Sequence, residues 1–343
     1  IDSDIDTAST ESILVFNHDI EDKVTYQGHT LLIQNSDTYH EDGTGWSSQA
    51  VGQNTTPVIG NALAGANSTR QVIGNIRLID GFAGALTPNQ LAAKMLEYQQ
   101  AFALDWNPLM IQGLVAWIDP AYATLDGGVD FAPDRSLYGN HFEQTDAGTR
   151  LGLDATTAAF NNLPTFTSDG TGFLEEVRTG RLNRRGGTSY TTVTVAAVSS
   201  GTNGVLISNR VGSGAGYRFR TNATNVLIQV EESSGAGPSS VNAKTSTAPI
   251  YYRGEYNAEA HTAAVYEDGV LRGSVAEDLS MRGSFIYNGS YGWSILADPD
   301  GTTLDSGVHI GQTFIFDRIL TDAEHVLLGE WLDNIYGFSK GST

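Results

Sequence analysis

Two acidic loops of this 343-residue chain carry side chains of the kind that bind calcium. Ca²⁺ takes about six to eight hard oxygen ligands, which clustered carboxylates and backbone carbonyls supply together. The acidic residues are Asp126, Asp130 and Asp134 in the loop DGGVDFAPD, and Asp298, Asp300 and Asp305 in the loop DPDGTTLD. The alternative interpretation is that Asp and Gly only form turns at both places. Calcium is the one cofactor that the sequence predicts.

A stretch further along, YNGSYGWS, has the composition of a glycan-binding loop. Its aromatic residues, Tyr287, Tyr291 and Trp293, could stack on sugar rings, because each ring offers an apolar face. Asn288 would add hydrogen bonds beside them. Trp293 has a second interpretation as a core residue, because a Gly-Trp-Ser triplet at residues 45–47 matches the triplet that contains it. Tyr287 and Tyr291 are therefore the stronger candidates for ligand contacts.

The one basic cluster of this acidic chain lies in the stretch RTGRLNRRGG. Its arginines at positions 181, 184 and 185 could bind an anionic glycan, because guanidinium groups pair with carboxylate and sulfate groups through parallel hydrogen bonds. The same cluster could meet the acidic face of a neighbouring subunit. The alternative is a solvated loop without a ligand. The predicted ligand contacts here are Arg181, Arg184 and Arg185.

The sequence contains no motif that identifies a catalytic centre. A retaining glycosidase needs two carboxyl groups about 5 Å apart, and Glu175 and Glu176 are neighbours that point to opposite faces of a strand. Glu255, Glu259 and His261 share a strand parity and could line a cleft as acid and base. The alternative is that they form a polar outer strand and turn. No catalytic residue is therefore assigned, and the chain is interpreted as non-catalytic.

Composition excludes several classes of partner. The chain has 19 Lys and Arg against 39 Asp and Glu, a formal net charge of −20. Nucleic acids and anionic membranes are disfavoured as partners, because both require cationic neutralisation. Cysteine is absent, so disulfides and thiolate metal sites are excluded. No apolar run is long enough to insert into a membrane.

The elements that would position these residues are mainly short strands. Runs rich in Val, Ile, Thr and Tyr, separated by turns rich in Gly and Asp, predict an all-β sandwich. Strands are expected at residues 191–198, 217–221 and 225–232, and a hairpin at residues 263–275 with Asp268-Gly269 in its turn. Two helices are expected, each behind a capping box that starts at Thr87 or Thr321.

The two predicted helices belong to endings that resemble each other. The stretch GQTFIFDRILTDAEH before the second helix has a cruder counterpart at residues 74–90, and the hairpin at 263–275 has one at residues 24–32. We therefore predict a duplicated fold, with a partial or divergent module at 1–107, a junction at 108–112 and a complete module at 113–340. The first module has only the back half of a sandwich, so its front half is expected to lie upstream, to come from another chain, or not to be needed.

Several motifs of residues 113–340 resemble the laminin-G-like, concanavalin A-like lectin/glucanase superfamily. They are the opening GLVAWIDPAYA, the stretch DRSLYGNHFEQTD, the hairpin VYEDGVLRGS and the ending IGQTFIFDRILTDAEHVLLGEWLDNIYGF. Residues 137–140 lengthen the Ser-Gly step usual in that family. The resemblance implies a jelly-roll sandwich of two antiparallel sheets, with one short capping helix per module. It says little about activity, because this fold carries lectins, lyases, glucanases and adhesion modules.

The ending resembles modules of phage tail and virion proteins and of bacterial surface proteins. The resemblance therefore implies a non-catalytic binding or structural module of a virion, such as a tail fibre or appendage. Its partner would be a host-surface glycan or another virion protein, and a fibre would be a homotrimer. The alternatives are a lectin-like carbohydrate-binding module, secreted or on a bacterial surface, and a polysaccharide-degrading enzyme of the same fold. In each case the expected location is the virion, the cell surface or the extracellular space.

Overall fold

The chain forms two compact units, Ile1–Gln112 and Gly113–Thr343. The computed structural model describes residues 14–18, 22–27, 30–35, 87–102, 106–177, 182, 189–198, 204–209, 216–221, 225–231, 239–243, 248–260, 262–276, 292–298, 301 and 306–338. The Gly-Trp-Ser triplet at residues 45–47 lies outside these ranges.

The described part of the first unit contains an antiparallel three-stranded sheet and one α-helix. The elements are β1 (Leu14–His18), β2 (Asp22–Gln27), β3 (Thr30–Asn35) and α1 (Pro88–Phe102). The capping box predicted at Thr87 is present, since the Gln90 amide oxygen accepts the Thr87 backbone N–H at 2.9 Å. Pro88 follows the cap, where a helix has no use for a backbone donor. Leu91 and Met95, one turn apart, are both buried and form the apolar side of the helix.

The second unit is built from short strands and one helix. In chain order the strands are β4 (Leu114–Ile118), β5 (Thr124–Leu125), β6 (Val129–Ala132), β7 (Phe142–Glu143), β8 (Gly152–Thr157), β9 (Leu163–Asp169), β10 (Leu174–Glu176), β11 (Tyr190–Val198), β12 (Gly204–Ser208), β13 (Gly216–Thr221), β14 (Asn225–Glu231), β15 (Ser239–Ala243), β16 (Ile250–Asn257), β17 (Thr262–Glu267), β18 (Val270–Ala276), β19 (Ser294–Ile295) and β20 (Ser306–Phe316), and the helix is α2 (Asp322–Tyr336).

The strands of the second unit form two antiparallel sheets. One has nine strands in the order β15-β14-β13-β12-β19-β10-β7-β6-β5. The other has the order β18-β17-β16-β11-β20-β9-β8, and β4 pairs with the part of β20 that β9 leaves open. The predicted all-β fold, a jelly-roll sandwich of two antiparallel sheets, is confirmed, and the described residues include one α-helix in each unit. The predicted kinship of the two units stays a prediction.

A single apolar core lies between the two sheets. It contains Tyr252 from one sheet and Phe142, Tyr217, Phe219 and Trp293 from the other, and all five are fully buried. Because side chains alternate along a strand, the residues next to these point to the outer faces of the sandwich. Burial of such large rings is the main contribution to the stability of a sandwich, since the hydrophobic free energy scales with the apolar area removed from water.

Helix α2 covers the outer face of the sheet that contains β4 and β20. Trp331 packs edge-on against Trp117 of β4, with 5.7 Å between ring centroids, and against Phe314 of β20 at 6.1 Å. The predicted capping box is present at Thr321, and Gly337 ends the helix in the left-handed conformation with φ of 67°. Within the described residues, no helix combines the length and the apolar character that a membrane crossing requires.

The strands predicted from the sequence are confirmed with bounds that differ by one residue. The observed strands β11, β13 and β14 correspond to the predictions at 191–198, 217–221 and 225–232. The predicted hairpin is formed by β17 and β18, with φ of 47° at Asp268 and 79° at Gly269. These are the values of a type I′ turn, which suits the right-handed twist of paired strands.

Gly254 allows the two sheets to approach each other at one point of the core. A Cβ atom at this position would lie 2.5 Å from the Tyr217 hydroxyl, which is hydrogen-bonded to Thr192 at 2.7 Å. We expect Gly254→Ala to lower the free energy of unfolding by about 2 kcal/mol, because overpacking forces side chains off their rotamers. Urea unfolding would measure this. Gly148→Ala, where the nearest atom is 3.4 Å away, is the control and should change stability little. Equal stability of the two variants would contradict the prediction.

Candidate functional site

The structure describes one of the predicted glycan-contact residues, Trp293, and places it in the core. Its ring is fully buried and packs against Tyr190 and Tyr217, with centroids 5.5 and 5.6 Å away. A buried indole has no face to offer a sugar, so the ligand-binding assignment of Trp293 is corrected to a packing role. The other predicted contacts lie outside the described residues: Tyr287, Asn288, Tyr291, Arg181, Arg184 and Arg185.

The second acidic loop begins with a buried ion pair. The Asp298 carboxylate is fully buried and accepts hydrogen bonds from the Arg218 guanidinium and, at 2.8 Å, from the Ser208 hydroxyl. A charge pair without access to water is strongly coupled, so removing either partner is costly. Asp298 is therefore a partner of Arg218 in this structure. Asp300 and Asp305, the other predicted calcium ligands of this loop, lie outside the described residues.

The aspartates of the first acidic loop have separate partners. Asp126 pairs with Arg150 at 2.9 Å on the surface, and Asp130 accepts the Thr124 hydroxyl at 2.7 Å. Within the described part of the chain, no three His, Asp or Glu side chains come together in a group that could hold a metal ion. The predicted convergence of Asp126, Asp130 and Asp134 is therefore corrected, because each carboxylate is used locally. Calcium binding by the chain stays a prediction.

Asp134 organises the start of the second unit. Its carboxylate is 2% exposed and accepts the backbone N–H of Trp117, Ser136 and Asn140, each at 2.7 Å. The Ser136 hydroxyl adds a fourth hydrogen bond at 2.6 Å, and the Asn140 amide donates to the Val115 carbonyl. Burial raises the pKa of Asp134 to about 6, against the effect of these donors. The residue therefore fixes β4 to the loop that follows β6.

The described residues among the three candidates for acid and base catalysis, Glu255 and Glu259, lie in different environments. Glu255 is 9% exposed and lies under α2, where its Oε1 is 2.8 Å from His325 Nε2 and 3.4 Å from Arg253 Nε. Glu259 is exposed on the turn after β16. His261 lies outside the described residues. Glu255 thus contacts α2 through His325, and the helix covers this carboxylate, so no cleft is open there.

A row of paired residues crosses the outer face of the nine-stranded sheet. We call it the outer row; from β5 to β13 its members are Thr124, Phe131, Glu143, Glu175, Ser294, Ser208 and Arg218. Residues directly opposite each other on antiparallel strands point to the same side. Their neighbours Phe142 and Leu174 belong to the core, so the row itself points away from it.

The outer row is covered at one end and accessible at the other. The turn after β19 lies over the covered end, because Ser294 donates to the Ala297 carbonyl at 2.5 Å and Ser208 donates to Asp298. At the other end Phe131, Glu143 and Glu175 are half-buried and Thr124 is exposed. The Phe131 ring and the Glu143 carboxylate therefore share one half-buried patch of this sheet face, beside Glu175, whose Oε1 is fully buried.

His141 borders this accessible end. Its ring centroid is 5.2 Å from that of Phe131, and its Nδ1 accepts the backbone N–H of Asp134 at 2.9 Å. Partial burial lowers the pKa of His141, which favours the neutral ring. With Nδ1 used as an acceptor, the neutral ring carries its proton on Nε2. The His141 ring therefore borders the patch on the side of Phe131.

Sequence reasoning missed the pair formed by Glu143 and Glu175. The Glu175-Glu176 doublet shows correctly that neighbours point to opposite faces, but it does not show which residue lies opposite Glu175 on the next strand. That depends on the register of β7 with β10, which aligns Glu175 with Glu143. The only available signal was the alternation in HFEQ, where Phe142 faces the core and Glu143 does not.

No family model and no curated protein matches this chain. Among solved structures, it is similar to the binding domain of Paraclostridial Mosquitocidal Protein 1, at 12% identity and a TM-score of 0.47, over 66% of this chain and 55% of that one. It is also similar to the binding domain of botulinum neurotoxin serotype D, at 10% identity and a TM-score of 0.48, over 64% and 51%. The chain thus spans about half the length of these domains, and at this level of likeness no ligand can be transferred between them.

Proposed function

We propose that the chain is a non-catalytic glycan-binding module with a laminin-G-like sandwich. The observation that carries this proposal is the accessible end of the outer row. There, one patch presents the Phe131 ring for stacking and the half-buried Glu143 carboxylate, which can accept hydrogen bonds from hydroxyls. Residues paired across neighbouring strands can contact a ligand that extends over several strands.

The environments of the buried carboxyls support binding over catalysis. General acid catalysis needs a carboxyl group that is held protonated beside the substrate. Among the described residues, burial raises the pKa of three acids to about 6 or 7: Asp134 and Glu176, each 2% exposed, and Asp268 in the turn between β17 and β18 of the other sheet. Glu176 points into the sandwich, since it neighbours the outward Glu175 on β10. Glu255 is committed to His325. Asp134, Glu176 and Glu255 are buried, and Asp268 belongs to the sheet that does not carry the outer row, so none of these four groups is a member of that row.

We further propose that the module acts on the surface of a virion, as part of a tail fibre or appendage, with a host glycan as its partner. The resemblance of the chain's ending to modules of phage tail and virion proteins supports this setting. The net charge of −20 disfavours binding of nucleic acid by the surface of the chain. The alternative setting is a lectin-like module of a bacterial surface or secreted protein. A threefold-symmetric oligomer, measured by light scattering, would favour the fibre.

A glycan array tests the function directly. The full chain, probed with and without Ca²⁺, is expected to bind at least one glycan class, and binding that disappears with a chelator would establish the predicted calcium dependence. Binding to a proteinaceous partner only, with no glycan bound at any protein concentration up to about 100 µM, would overturn the proposal. That limit is chosen because single lectin-like sites bind weakly, and affinities of this order correspond to only about 5 kcal/mol.

The cross-strand pair of Glu143 and Glu175 makes a polysaccharide-degrading enzyme the second candidate. Two Glu residues opposite each other on adjacent strands have Cβ atoms about 5 Å apart. Their carboxyl groups can therefore reach the separation of about 5–5.5 Å that retaining glycosidases use. Release of reducing ends from an array-positive polysaccharide, lost in Glu143→Gln, would replace binding by hydrolysis as the function. Intact polysaccharide after prolonged incubation with the wild-type chain would remove this candidate.

A further inference from the structure

We propose that His141 is a contact residue of the glycan site and that its Nε2–H donates a hydrogen bond to an oxygen of a sugar that packs on Phe131. This inference rests on the proposed function and goes beyond it, because it adds a hydrogen-bond donor to a patch that offers a ring and an acceptor. The ligand is then a sugar with one group that accepts from His141 and another that donates to Glu143.

Two contacts fix the position and the tautomer of the His141 ring. Its centroid lies 5.2 Å from that of Phe131, with 46° between the ring planes. Its Nδ1 is 2.9 Å from the backbone nitrogen of Asp134. A backbone N–H is always a donor, so Nδ1 is the acceptor of this hydrogen bond and a neutral ring carries its hydrogen on Nε2. The backbone therefore selects the tautomer before any ligand binds.

The space beside Nε2 of His141 is open to a ligand. Among the described residues other than its chain neighbours, a Cβ atom at Gly139 would come within 4 Å of Nε2 alone, at 3.9 Å. Gly139 has φ of 70°, a conformation that favours glycine, so the loop places a residue without a side chain here. Within the described part of the chain, no protein group accepts the Nε2–H. A ligand oxygen can therefore take this position.

His141 and Glu143 point to the same side of the sheet as Phe131. Phe131 lies opposite Glu143 on the neighbouring strand, and both are half-buried. The His141 carbonyl accepts the Val177 backbone N–H at 2.8 Å, which continues the pairing of β7 with β10 by one residue. Phe142, between His141 and Glu143, faces the core, so alternation directs its two neighbours outward. A sugar on Phe131 thus has a donor and an acceptor on the adjacent strand.

The two polar groups recognise a hydroxyl-bearing ligand in complementary ways. The Glu143 carboxylate only accepts hydrogen bonds, so it needs a hydroxyl or amide hydrogen of the ligand. The Nε2–H of His141 only donates, so it needs a ligand oxygen. Partial burial lowers the pKa of His141, which favours the neutral ring with this single available donor. Sugar hydroxyls both donate and accept, so a glycan can satisfy the two residues at once.

The tautomer of His141 can be measured without any ligand. NMR of the full chain, labelled with ¹⁵N in its histidines, distinguishes protonated from unprotonated ring nitrogens. His141→Gln identifies the signals of this residue among those of the seven histidines. At about pH 7.5 we expect an unprotonated Nδ1 and a protonated Nε2. A ring protonated mainly on Nδ1 would overturn the proposal, because its Nε2 could not donate.

Titration calorimetry on the full chain measures the contribution of the donor to binding. The probes are cellohexaose, maltohexaose, chitohexaose and the glycan that binds most strongly on the array. His141→Phe keeps a ring against Phe131 but has no donor, whereas His141→Gln offers an N–H at a similar reach. Both variants lose the imidazole acceptor for the Asp134 N–H, so their difference reports the donor. His141→Phe should bind roughly three- to tenfold more weakly than His141→Gln, as expected for one neutral hydrogen bond.

Two control variants change other parts of the surface. Leu125→Ala removes an apolar side chain that is 59% exposed, and Glu259→Ala removes an exposed carboxylate; both should bind as wild type does. Thermal unfolding of every variant shows whether its fold is intact. Should His141→Phe unfold, the wild-type chain provides the second measurement. Its His141 Nε2 signal should then move when the ligand is added, and an unchanged signal at saturation would contradict the contact.

The outcomes separate this inference from the proposed function. If wild type binds a glycan and His141→Phe binds it as tightly as His141→Gln, the donor assignment is wrong and the proposed function stands. A ring protonated on Nδ1 leads to the same conclusion. If wild type binds no glycan on the array and none of the probes, the inference and the proposed function are both overturned.

Discussion

Glu176→Gln is expected to stabilise the second unit at pH 8 by up to about 3 kcal/mol and to leave its stability at pH 4.5 nearly unchanged. Glu176 is 2% exposed, and it accepts the Trp293 backbone N–H at 3.3 Å with one oxygen while the other has no hydrogen-bond partner. Burial is the main cause that raises its pKa from 4.5 to about 7. That difference corresponds to about 3 kcal/mol, since a shift of one pKa unit is worth roughly 1.4 kcal/mol.

The direction of the pH dependence follows from the raised pKa. The folded chain holds the proton on Glu176 more tightly than the unfolded chain, so the native state binds more protons between pH 4.5 and about 7. The contribution of this group to stability is therefore fully favourable below about pH 4.5, falls as the pH rises through this window, and stays constant above it. Glutamine resembles the protonated carboxyl and does not titrate, so the variant should lose this part of the pH dependence.

Urea unfolding at pH 4.5, 6 and 8 measures the effect. Glu175→Gln is the matched control, because it changes the adjacent carboxyl on the outer side of the same strand. It should keep most of the pH dependence of wild type, because the Glu175 charge is the smallest of the causes that shift the pKa of Glu176. A Glu176→Gln variant whose stability falls with pH as steeply as that of wild type would contradict the assignment of this proton to Glu176. Both variants remove one carboxylate, so the effect of the changed net charge on stability is the same in the two and cancels in the comparison.

Asp134→Ala is expected to cost about 4 kcal/mol or more and to prevent accumulation of folded protein under ordinary conditions. Four donors converge on the Asp134 carboxylate, three of them backbone N–H groups. Removing the acceptor leaves these donors buried without partners, and each such group costs about 1–3 kcal/mol. A domain is typically stable by only about 5–15 kcal/mol, so the loss takes up much of that margin.

Soluble yield and thermal unfolding measure this prediction. Asp126→Ala removes a carboxylate whose side chain is 78% exposed and should change stability by less than about 0.5 kcal/mol. Because Asp134→Ala is expected to fold poorly, Asp134→Asn provides a second measurement. It keeps one acceptor oxygen and the shape of the side chain, so about half of the loss is expected. Stability of Asp134→Asn equal to that of wild type would show that the four hydrogen bonds contribute little.

Much of the fold was predictable because its signals are local. A capping box joins residues three apart, and the type I′ turn depends on Asp268 and Gly269 alone. Strands such as β11 follow from a run of β-branched residues bounded by turn residues. Such features depend on a few consecutive residues, so their types and spacing are sufficient to find them.

The candidate site was less predictable, and individual residues show why. Asp298 and Asp134 have the same chemistry as calcium ligands, yet one neutralises Arg218 and the other accepts backbone donors. Composition alone does not distinguish these roles, because the partners come from distant parts of the chain. Trp293 is similar, since its Gly-rich surroundings suggest an exposed loop while its contacts with Tyr190 and Tyr217 place it in the core.

The sequence by itself determined the class of fold, the turn and cap positions and the acidic character of the surface. Only the tertiary structure decided which carboxyls are buried, which pair with arginine and which, like Glu143 and Glu175, meet on an accessible face. The physical reason is that strand periodicity assigns each side chain to one of two faces, whereas the register between strands assigns its neighbours. Register is set by the packing of the whole sandwich, so the outer row exists only in the folded chain.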